Sequence, residues 1–275
     1  MIDTILQGGM KHSEPARLFD DHEALEWRAI ELLQDNCPSE GYYVAFSGGK
    51  DSVVILDLVK RAGVKFDAHY NVATVDPPEL VRFIRDSHPE VAFERPKKTM
   101  WQLIEENMMP PLRQMRYCCR WLKERTVAPG RVLVLGVRAE ESQRRALGSE
   151  IKTNMKKHKC ISPIFTWSTA DVWQHIEQHE LPYCVLYDQG WDRIGCVGCP
   201  LNSRRQEQIA LYPGLAHAYR NACRKAFAHR VALGKSSRWK DGDDMYQWWI
   251  GGTALAAPFD AAEESLFTPE TAEEV

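Results

Sequence analysis

One short stretch constrains the fold of this chain more than any other. Tyr42-Tyr43-Val44-Ala45-Phe46 runs into Ser47-Gly48-Gly49-Lys50-Asp51-Ser52, and Val53, Val54, Leu56, Leu58 and Val59 follow at helical spacing up to Gly63. The apolar run starts after a break at Cys37-Pro38-Ser39-Glu40-Gly41, so it reads as a short buried strand. A strand that enters a helix through glycines opens a βαβ unit, and its turn is a place for phosphate. Glycine lets the backbone approach an anion closely, and the first turn of the helix supplies free N–H groups and the positive end of its dipole. Ser47 and Ser52 can donate hydroxyl hydrogen bonds and Lys50 can neutralise charge. Asp51 is better placed to cap the helix or hold Mg²⁺ than to touch phosphate. The Gly-x-x-x-x-Gly-Lys spacing of a Walker A loop is absent, and the bland alternative is a plain glycine turn.

The rest of the chain continues the alternation. A helical pattern covers residues 15–37, and strands are expected at 66–72, 91–95 and, most clearly, 131–137. Helices are expected at 79–87, 100–107 and 167–179, the last with Ser168 as N-cap and Asp171 completing a capping box. This pattern predicts an α/β fold with a mostly parallel twisted sheet and helices on both faces, followed by a helical C-terminal region. Residues 1–40 form an N-terminal helical segment and 41–200 the nucleotide-binding α/β domain. Residues 201–258 form the helical region and 259–275 a mobile acidic tail. Ligands of such sheets sit beyond the carboxyl ends of the strands, where the Ser47–Ser52 loop and the segment after Val137 both lie.

Composition excludes several classes. With 44% hydrophobic and 27% charged residues the chain reads as an ordinary globular protein, and a net charge of −3 gives no global sign of nucleic-acid binding. No apolar run is long enough to cross a membrane. Met1-Ile2-Asp3-Thr4 has neither the basic nor the apolar part of a signal peptide, so a cytoplasmic location is expected.

In a reducing compartment the eight cysteines are read first as metal ligands or catalysts. Cys118-Cys119 and Cys196-Val197-Gly198-Cys199 offer four soft ligands, which suits a [4Fe–4S] cluster or a structural zinc. Tandem cysteines are awkward around one tetrahedral ion, which favours the cluster. Cys160 is ambiguous between ligand and free thiol. Cys37, Cys184 and Cys223 read as small buried hydrophobes. Arg116, Arg120, Lys123, Arg193, Arg204 and Arg205 flank the pairs and can offset thiolate charge, or simply face solvent.

Ser-Gly-Gly-Lys-Asp-Ser resembles the pyrophosphatase loop of the adenine-nucleotide α-hydrolase superfamily, many of whose members cleave ATP between the α- and β-phosphates. Two further segments, Gly136-Val137-Arg138-Ala139-Glu140-Glu141-Ser142-Gln143-Arg144-Arg145 and Pro163-Ile164-Phe165-Thr166-Trp167-Ser168-Thr169-Ala170-Asp171-Val172-Trp173, narrow the match. Leu181-Pro182-Tyr183 and Tyr187-Asp188-Gln189-Gly190-Trp191-Asp192-Arg193-Ile194-Gly195 continue it in order, and together they resemble the phosphoadenosine-phosphosulfate-reductase branch over roughly residues 40–205. The paired cysteines resemble the [4Fe–4S] ligands of its iron–sulfur members. The resemblance implies a nucleotide site of Ser47, Gly48, Gly49, Lys50, Asp51, Ser52, Arg138, Glu141 and Arg144, with Lys50, Asp51 and Arg138 closest to the chemistry. Arg138, Arg144 and Arg145 follow a strand end, where guanidinium groups grip anions; the alternative is a solvated turn paired with Glu140 and Glu141.

The sequence also departs from the sulfonucleotide reductases. It has no cysteine after Cys223, whereas they carry a nucleophilic one near the C-terminus. Lys50 is kept, as in the ATP-cleaving members, and Thr74-Val75-Asp76-Pro77-Pro78 replaces their Asp-Thr-Gly. The leading expectation is therefore an ATP- and Mg²⁺-dependent enzyme that adenylates an acceptor with loss of pyrophosphate, for iron–sulfur-dependent sulfur transfer. One alternative is a sulfonucleotide reductase releasing sulfite, with its thiol from Cys223, Cys160 or another protein. A second is a non-catalytic nucleotide-binding component of a larger assembly. A nucleic-acid acceptor is implied by the resemblance alone; Trp101, Trp121, Trp191, Trp248 and Trp249 can stack on bases but serve equally as core. A small-molecule acceptor, a thiol-donor protein and the oligomeric state stay open.

Overall fold

The computed structural model describes residues 21–124, 127–154 and 157–251. The expected start of the first helix at 15–20 and the acidic tail at 259–275 lie outside them. The first helix, α1, spans Asp21–Asp35. After Pro38 the chain enters β1 (Tyr42–Ala45), in which Tyr42, Tyr43 and Val44 are buried. Successive strand residues face opposite sides, so continuous burial marks a strand covered on both faces. The helix α2 (Lys50–Arg61) buries Val53, Val54, Ile55, Leu56, Leu58 and Val59. Each of these contributes about 1.5–3 kcal/mol relative to exposure.

β2 (Phe66–Asn71), α3 (Pro78–Ser87), β3 (Val91–Glu94) and α4 (Met100–Glu106) follow where periodicity placed them. Pro78 opens α3 because the first helical residue has no N–H partner to lose. The short α5 (Tyr117–Leu122) carries the tandem cysteines. Six strands form one sheet in the order β3-β2-β1-β4-β6-β5, with every pairing parallel except β5 with β6.

The strand expected at 131–137 is β4, reduced to Leu133–Val134. Its flanks keep single ladder bonds, from Tyr43 N to Val132 O at 2.9 Å and from Leu135 N to Ile161 O at 2.9 Å. At Gly136 the chain turns onto the loop, where a Cβ would come within 3.2 Å of Asp51 Cβ. The edge strand β5 (Ile151–Thr153) and its neighbour β6 (Lys159–Ile161) carry too little pattern to be read in advance. β5 is three exposed residues, and β6 has only Cys160 and Ile161 inside. Between β4 and β5 the short α6 spans Gln143–Ala146.

After β6, α7 (Thr169–Gln178) starts in the expected capping box, with Asp171 N donating to Ser168 Oγ at 3.1 Å and Ser168 N to Asp171 Oδ2 at 2.7 Å. α8 (Arg205–Leu211), α9 (Pro213–Ala232) and α10 (Gly242–Ile250) complete the described chain. One core lies around α1, α2, α7 and the sheet. A second joins Met100, Leu103 and Ile104 of α4 and Leu122 of α5 to Tyr219, Ala226, Met245 and Trp249 of the last helices. The C-terminal helices thus share a core with residues of the 41–200 segment. No helix among the described residues is long and apolar enough to cross a membrane.

Candidate nucleotide and metal crevice

β1 and β4 are parallel neighbours, so the chain leaves both at the same sheet edge. The loop after β1 and the segment after β4 therefore face one crevice of about 1060 Å³. Ser47, Gly49, Lys50, Asp51 and Ser52 line one part of it, and Cys118, Cys119, Cys196 and Cys199 another. The structure brings together in one cavity the two constellations that lie far apart in sequence.

The loop is held by sterics. Gly48 takes φ +72°, and a Cβ there would lie 2.6 Å from Leu80 Cδ1 and 2.7 Å from Ile84 Cδ1. Gly49 is the N-cap of α2, with no side chain capping the helix. Ser52 Oγ donates to Gly49 O at 2.8 Å, and Ser47 Oγ lies 3.3 Å from Ser52 Oγ. The Lys50 N–H donates to the Tyr187 hydroxyl at 2.9 Å, and its ammonium lies 5.8 Å above the Tyr187 ring. Burial pushes the Tyr187 phenol up to about 12, so it stays a neutral wall.

Asp51 does not cap the helix. Its Oδ1 accepts from Arg138 Nε at 2.5 Å and its Oδ2 lies 3.4 Å from Lys50 Nζ. Arg138 is 3% exposed and fully engaged. Besides Asp51 it donates to Glu140 Oε2 at 2.6 Å, the Trp167 carbonyl at 3.3 Å and Thr169 Oγ1 at 3.2 Å. Arg138 lines the crevice and also forms a buried tie between α2, the segment after β4 and the start of α7. Burying an arginine is costly unless carboxylates satisfy it, and Asp51 and Glu140 do so.

Arg144 is exposed and lies off the crevice, whereas its neighbour Arg145 lines it. Glu141 pairs with Arg145 and accepts the Arg138 N–H at 3.1 Å. Partial burial, with Arg193 and Arg138 nearby, holds the Arg145 guanidinium below its ordinary pKa. Crowded cations beside the N-terminus of α2 leave a positive field that an anion would relieve.

The metal side is built around Cys196-Val197-Gly198-Cys199. Gly198 takes φ +76°, and a Cβ would approach Ile209 to 2.9 Å, Tyr219 to 3.1 Å and Trp249 to 3.2 Å. Tyr219 Oη donates to Val197 O at 2.8 Å, and Val197 N donates to Val75 O at 2.9 Å. Arg205 is buried, donates to the Trp249 carbonyl and lies close enough to Cys199 to interact with it electrostatically.

On α5 the Cys118 thiol hydrogen-bonds Cys119. That bond raises the first thiol and lowers the second, and Lys123 and Arg116 further favour the Cys119 thiolate. Burial pushes Cys196 up to about 12, against the pull of Lys123, which hydrogen-bonds it. Cys196 Sγ lies 3.8 Å from Asp76 Oδ1, while Asp76 Oδ2 accepts from Tyr70 Oη at 2.5 Å and Ala73 N at 2.7 Å. Asp76 and Tyr187 were not singled out in the sequence, whereas Lys123 and Arg145 were read there as charges beside the thiols and at a strand end. Asp76 stands in the segment that replaces Asp-Thr-Gly, and that replacement was the available signal.

The donor set is soft and the counter-charges are present, so the four thiols fit a [4Fe–4S] cluster. Among the described residues, the one group of three or more potential ligands mutually within 4.8 Å lies elsewhere. Cys160 is buried in β6 beside Tyr43 and Leu133, outside the crevice lining, and takes no part in the thiol set. Cys184 and Cys223 are likewise core residues. Of the five tryptophans singled out for stacking, Trp191 alone lines the crevice, and Trp249 is core.

The phosphoadenosine phosphosulfate reductase domain matches residues 41–202, more than half of the chain. An uncharacterized protein of Methanocaldococcus jannaschii is 31% identical over 212 residues, covering 70% of this chain and 43% of that protein. The chain thus spans less than half the length of that relative. The adenosine 5'-phosphosulfate reductase of Bacillus anthracis is 27% identical over 175 residues, or 57% of this chain and 74% of that protein. Among solved structures, the phosphoadenylyl-sulfate reductase of Candida auris in its phosphate complex aligns at 18% identity and a TM-score of 0.47, covering 64% of this chain and 93% of that one. By the span of its domain match, the chain belongs to the phosphoadenosine phosphosulfate reductase domain family.

Proposed function

We propose that this protein binds ATP in the crevice and cleaves it between the α- and β-phosphates, adenylating an acceptor that goes on to receive sulfur. The observation that carries the reading is Lys50. It lines the crevice within the loop, beside the uncapped first turn of α2. A cation there has a purpose if pyrophosphate must leave. Charge accumulates on the β-phosphate oxygens as the Pα–O bond breaks, and the Lys50 ammonium with the Ser47, Gly49 and Ser52 donors can stabilise it. Arg145 and Arg193 stand where they can hold the α-phosphate or an anionic acceptor. Arg138 acts as a positioning residue that fixes Asp51 and the start of α7.

Both oxygens of Asp51 are already engaged by cations, so it does not fit as a ready-made Mg²⁺ ligand. Mg²⁺ would then arrive on the nucleotide's own phosphates. Cys118, Cys119, Cys196 and Cys199 would hold an iron–sulfur cluster, whose chemistry there is electron storage or sulfur activation. Lys123, against Cys196, would balance its charge.

A second reading is reduction of a sulfonucleotide, favoured by the similarity to adenosine 5'-phosphosulfate reductase. It needs a nucleophilic thiol. Cys160 and Cys223 are buried and line no part of the crevice, so a separate thiol protein would have to supply one. Anaerobic turnover with ATP, adenosine 5'-phosphosulfate and its 3'-phosphorylated form, each with Mg²⁺ and a thiol donor, separates the readings. Pyrophosphate and AMP from ATP support adenylation. Sulfite from a sulfonucleotide with inert ATP replaces it with reduction. Binding without turnover of any of the three leaves a non-catalytic nucleotide-binding component.

A further inference from the structure

We infer that a divalent transition-metal ion, zinc by its donor chemistry, binds between α1 and α7 at His22, Glu26 and His175, with His179 beside them. His22 and Glu26 stand one helical turn apart on α1, and His175 on α7 stands four residues before His179, the residue that caps its end. Each helix presents a pair of ligating side chains to the other. Candidate ligand atoms of His22, Glu26 and His175 lie mutually within 4.8 Å. Glu26 Oε1 is 2.7 Å from His175 Nδ1, 2.5 Å from His179 Nε2 and 3.5 Å from His22 Nε2. Three imidazole nitrogens thus converge on one carboxylate oxygen. His22 is 4% exposed and His175 is 0% exposed, so the group is walled from bulk water except on the His179 side.

The far nitrogen of His175 argues for a cation. His175 Nε2 lies 2.9 Å from Asp57 Oδ2, and Asp57 is itself tied to Arg61 Nε at 2.5 Å. A neutral imidazole has one N–H. If Nε2 donates it to Asp57, Nδ1 points a lone pair at the Glu26 carboxylate, which needs a second proton or a metal between them. A carboxylate behind a ligating histidine is the usual device for fixing its tautomer and strengthening it as a ligand. Nitrogen and oxygen ligands around tetrahedral zinc stand about 3.4 Å apart, so a small opening of the cluster accepts the ion. Nitrogen-rich sites with one carboxylate favour zinc over magnesium or calcium.

None of these side chains lines the nucleotide crevice. The ion would pin α1 to α7, with α2 drawn in through Asp57. α2 begins at the phosphate loop, and α7 begins at Thr169, whose hydroxyl accepts from Arg138. The site therefore braces the nucleotide loop from behind.

The test uses the full chain, stripped of metal and reloaded with zinc alone under reducing conditions. The parent, Cys196→Ser/Cys199→Ser, Glu26→Gln and His179→Asn are compared by metal content, zinc-edge X-ray absorption and heat unfolding. The cysteine variant is expected to keep about one equivalent of zinc with neighbours at about 2.0–2.1 Å, as nitrogen and oxygen ligands require, and not at the 2.3 Å of sulfur. Added zinc should raise its unfolding temperature by several degrees. Glu26→Gln should lose that equivalent, and His179→Asn should bind it more weakly. Should Glu26→Gln fail to fold, the parent and cysteine-variant spectra still decide. Zinc seen only in a sulfur shell, or an unchanged zinc count in folded Glu26→Gln, would overturn the site and leave a protonated imidazole–carboxylate cluster.

Discussion

Gly48 occupies φ +72° with Leu80 and Ile84 pressed against the face where a Cβ would stand. Gly48→Ala must adopt a left-handed backbone and displace two core side chains, at a cost of about 2–4 kcal/mol. Calorimetric unfolding should show that loss, and nucleotide affinity should fall with it; unchanged stability and affinity would mean that the loop is not held as described. Arg138 makes the opposite demand, for a charge that is kept but buried. Arg138→Ala removes the tie between α2 and the start of α7, but Asp51 keeps Lys50 and Glu140 keeps the Thr169 N–H and hydroxyl, so the loss in urea unfolding at constant m should be about 1–3 kcal/mol. Arg138→Lys keeps the charge without the fork that reaches Asp51, Glu140 and Thr169 together, so it should recover only part of the loss. At this scale the sequence was half legible. Ser47 to Ser52 and the four cysteines could be named because their residue types announce their chemistry. Arg138 lines the crevice, but its contact with Asp51 could not be read, because that carboxylate lies 87 residues away on α2. Arg145 and Arg144 could not be ranked, since the direction each takes depends on the short α6.

At the scale of elements, legibility followed length and burial. β1, α2 and the capping box of α7 could be read because periodicity, glycines and cap chemistry agree there. β4 was read too long, since the apolar run continues past the point where Gly136 turns the chain onto the loop. β5 and β6 lacked signal, because an exposed three-residue edge strand has no alternation to show. The Cys196–Cys199 turn belongs to this scale too, since α8, α9 and α10 brace it. Gly198→Ala would drive a Cβ into Ile209, Tyr219 and Trp249. The expected result is loss of most bound iron after anaerobic reconstitution, measured per folded chain, with the nucleotide loop still able to bind. Full iron content in that variant would show that the turn tolerates the displacement.

For the whole molecule, the family match covers residues 41–202, yet the second core draws on both sides of that boundary. Tyr219, Met245 and Trp249 bury against Leu103, Ile104 and Leu122. Each large side chain contributes about 1.5–3 kcal/mol, so losing these three would remove a large share of the about 5–15 kcal/mol by which a domain is stable. A 41–202 fragment is therefore expected to show no cooperative unfolding transition and to retain no iron; a sharp transition would make the C-terminal helices an independent appendage. The joint crevice is also a property of the whole molecule: parallel β1 and β4 bring the loop and the segment after Val134 to one edge, and the Cys196–Cys199 turn joins them through Val197 N donating to Val75 O, just beyond β2.

The central claim is that the retained Lys50 serves departure of pyrophosphate from ATP. The most direct measurement is release of pyrophosphate and AMP from ATP by the anaerobically reconstituted full chain, compared with Lys50→Ala and with sulfite release from the two sulfonucleotides. The account predicts ATP cleavage that falls about 10²–10³-fold in Lys50→Ala, as for loss of one transition-state donor. Sulfite release from a sulfonucleotide, unaffected by Lys50→Ala and with ATP inert, would contradict it.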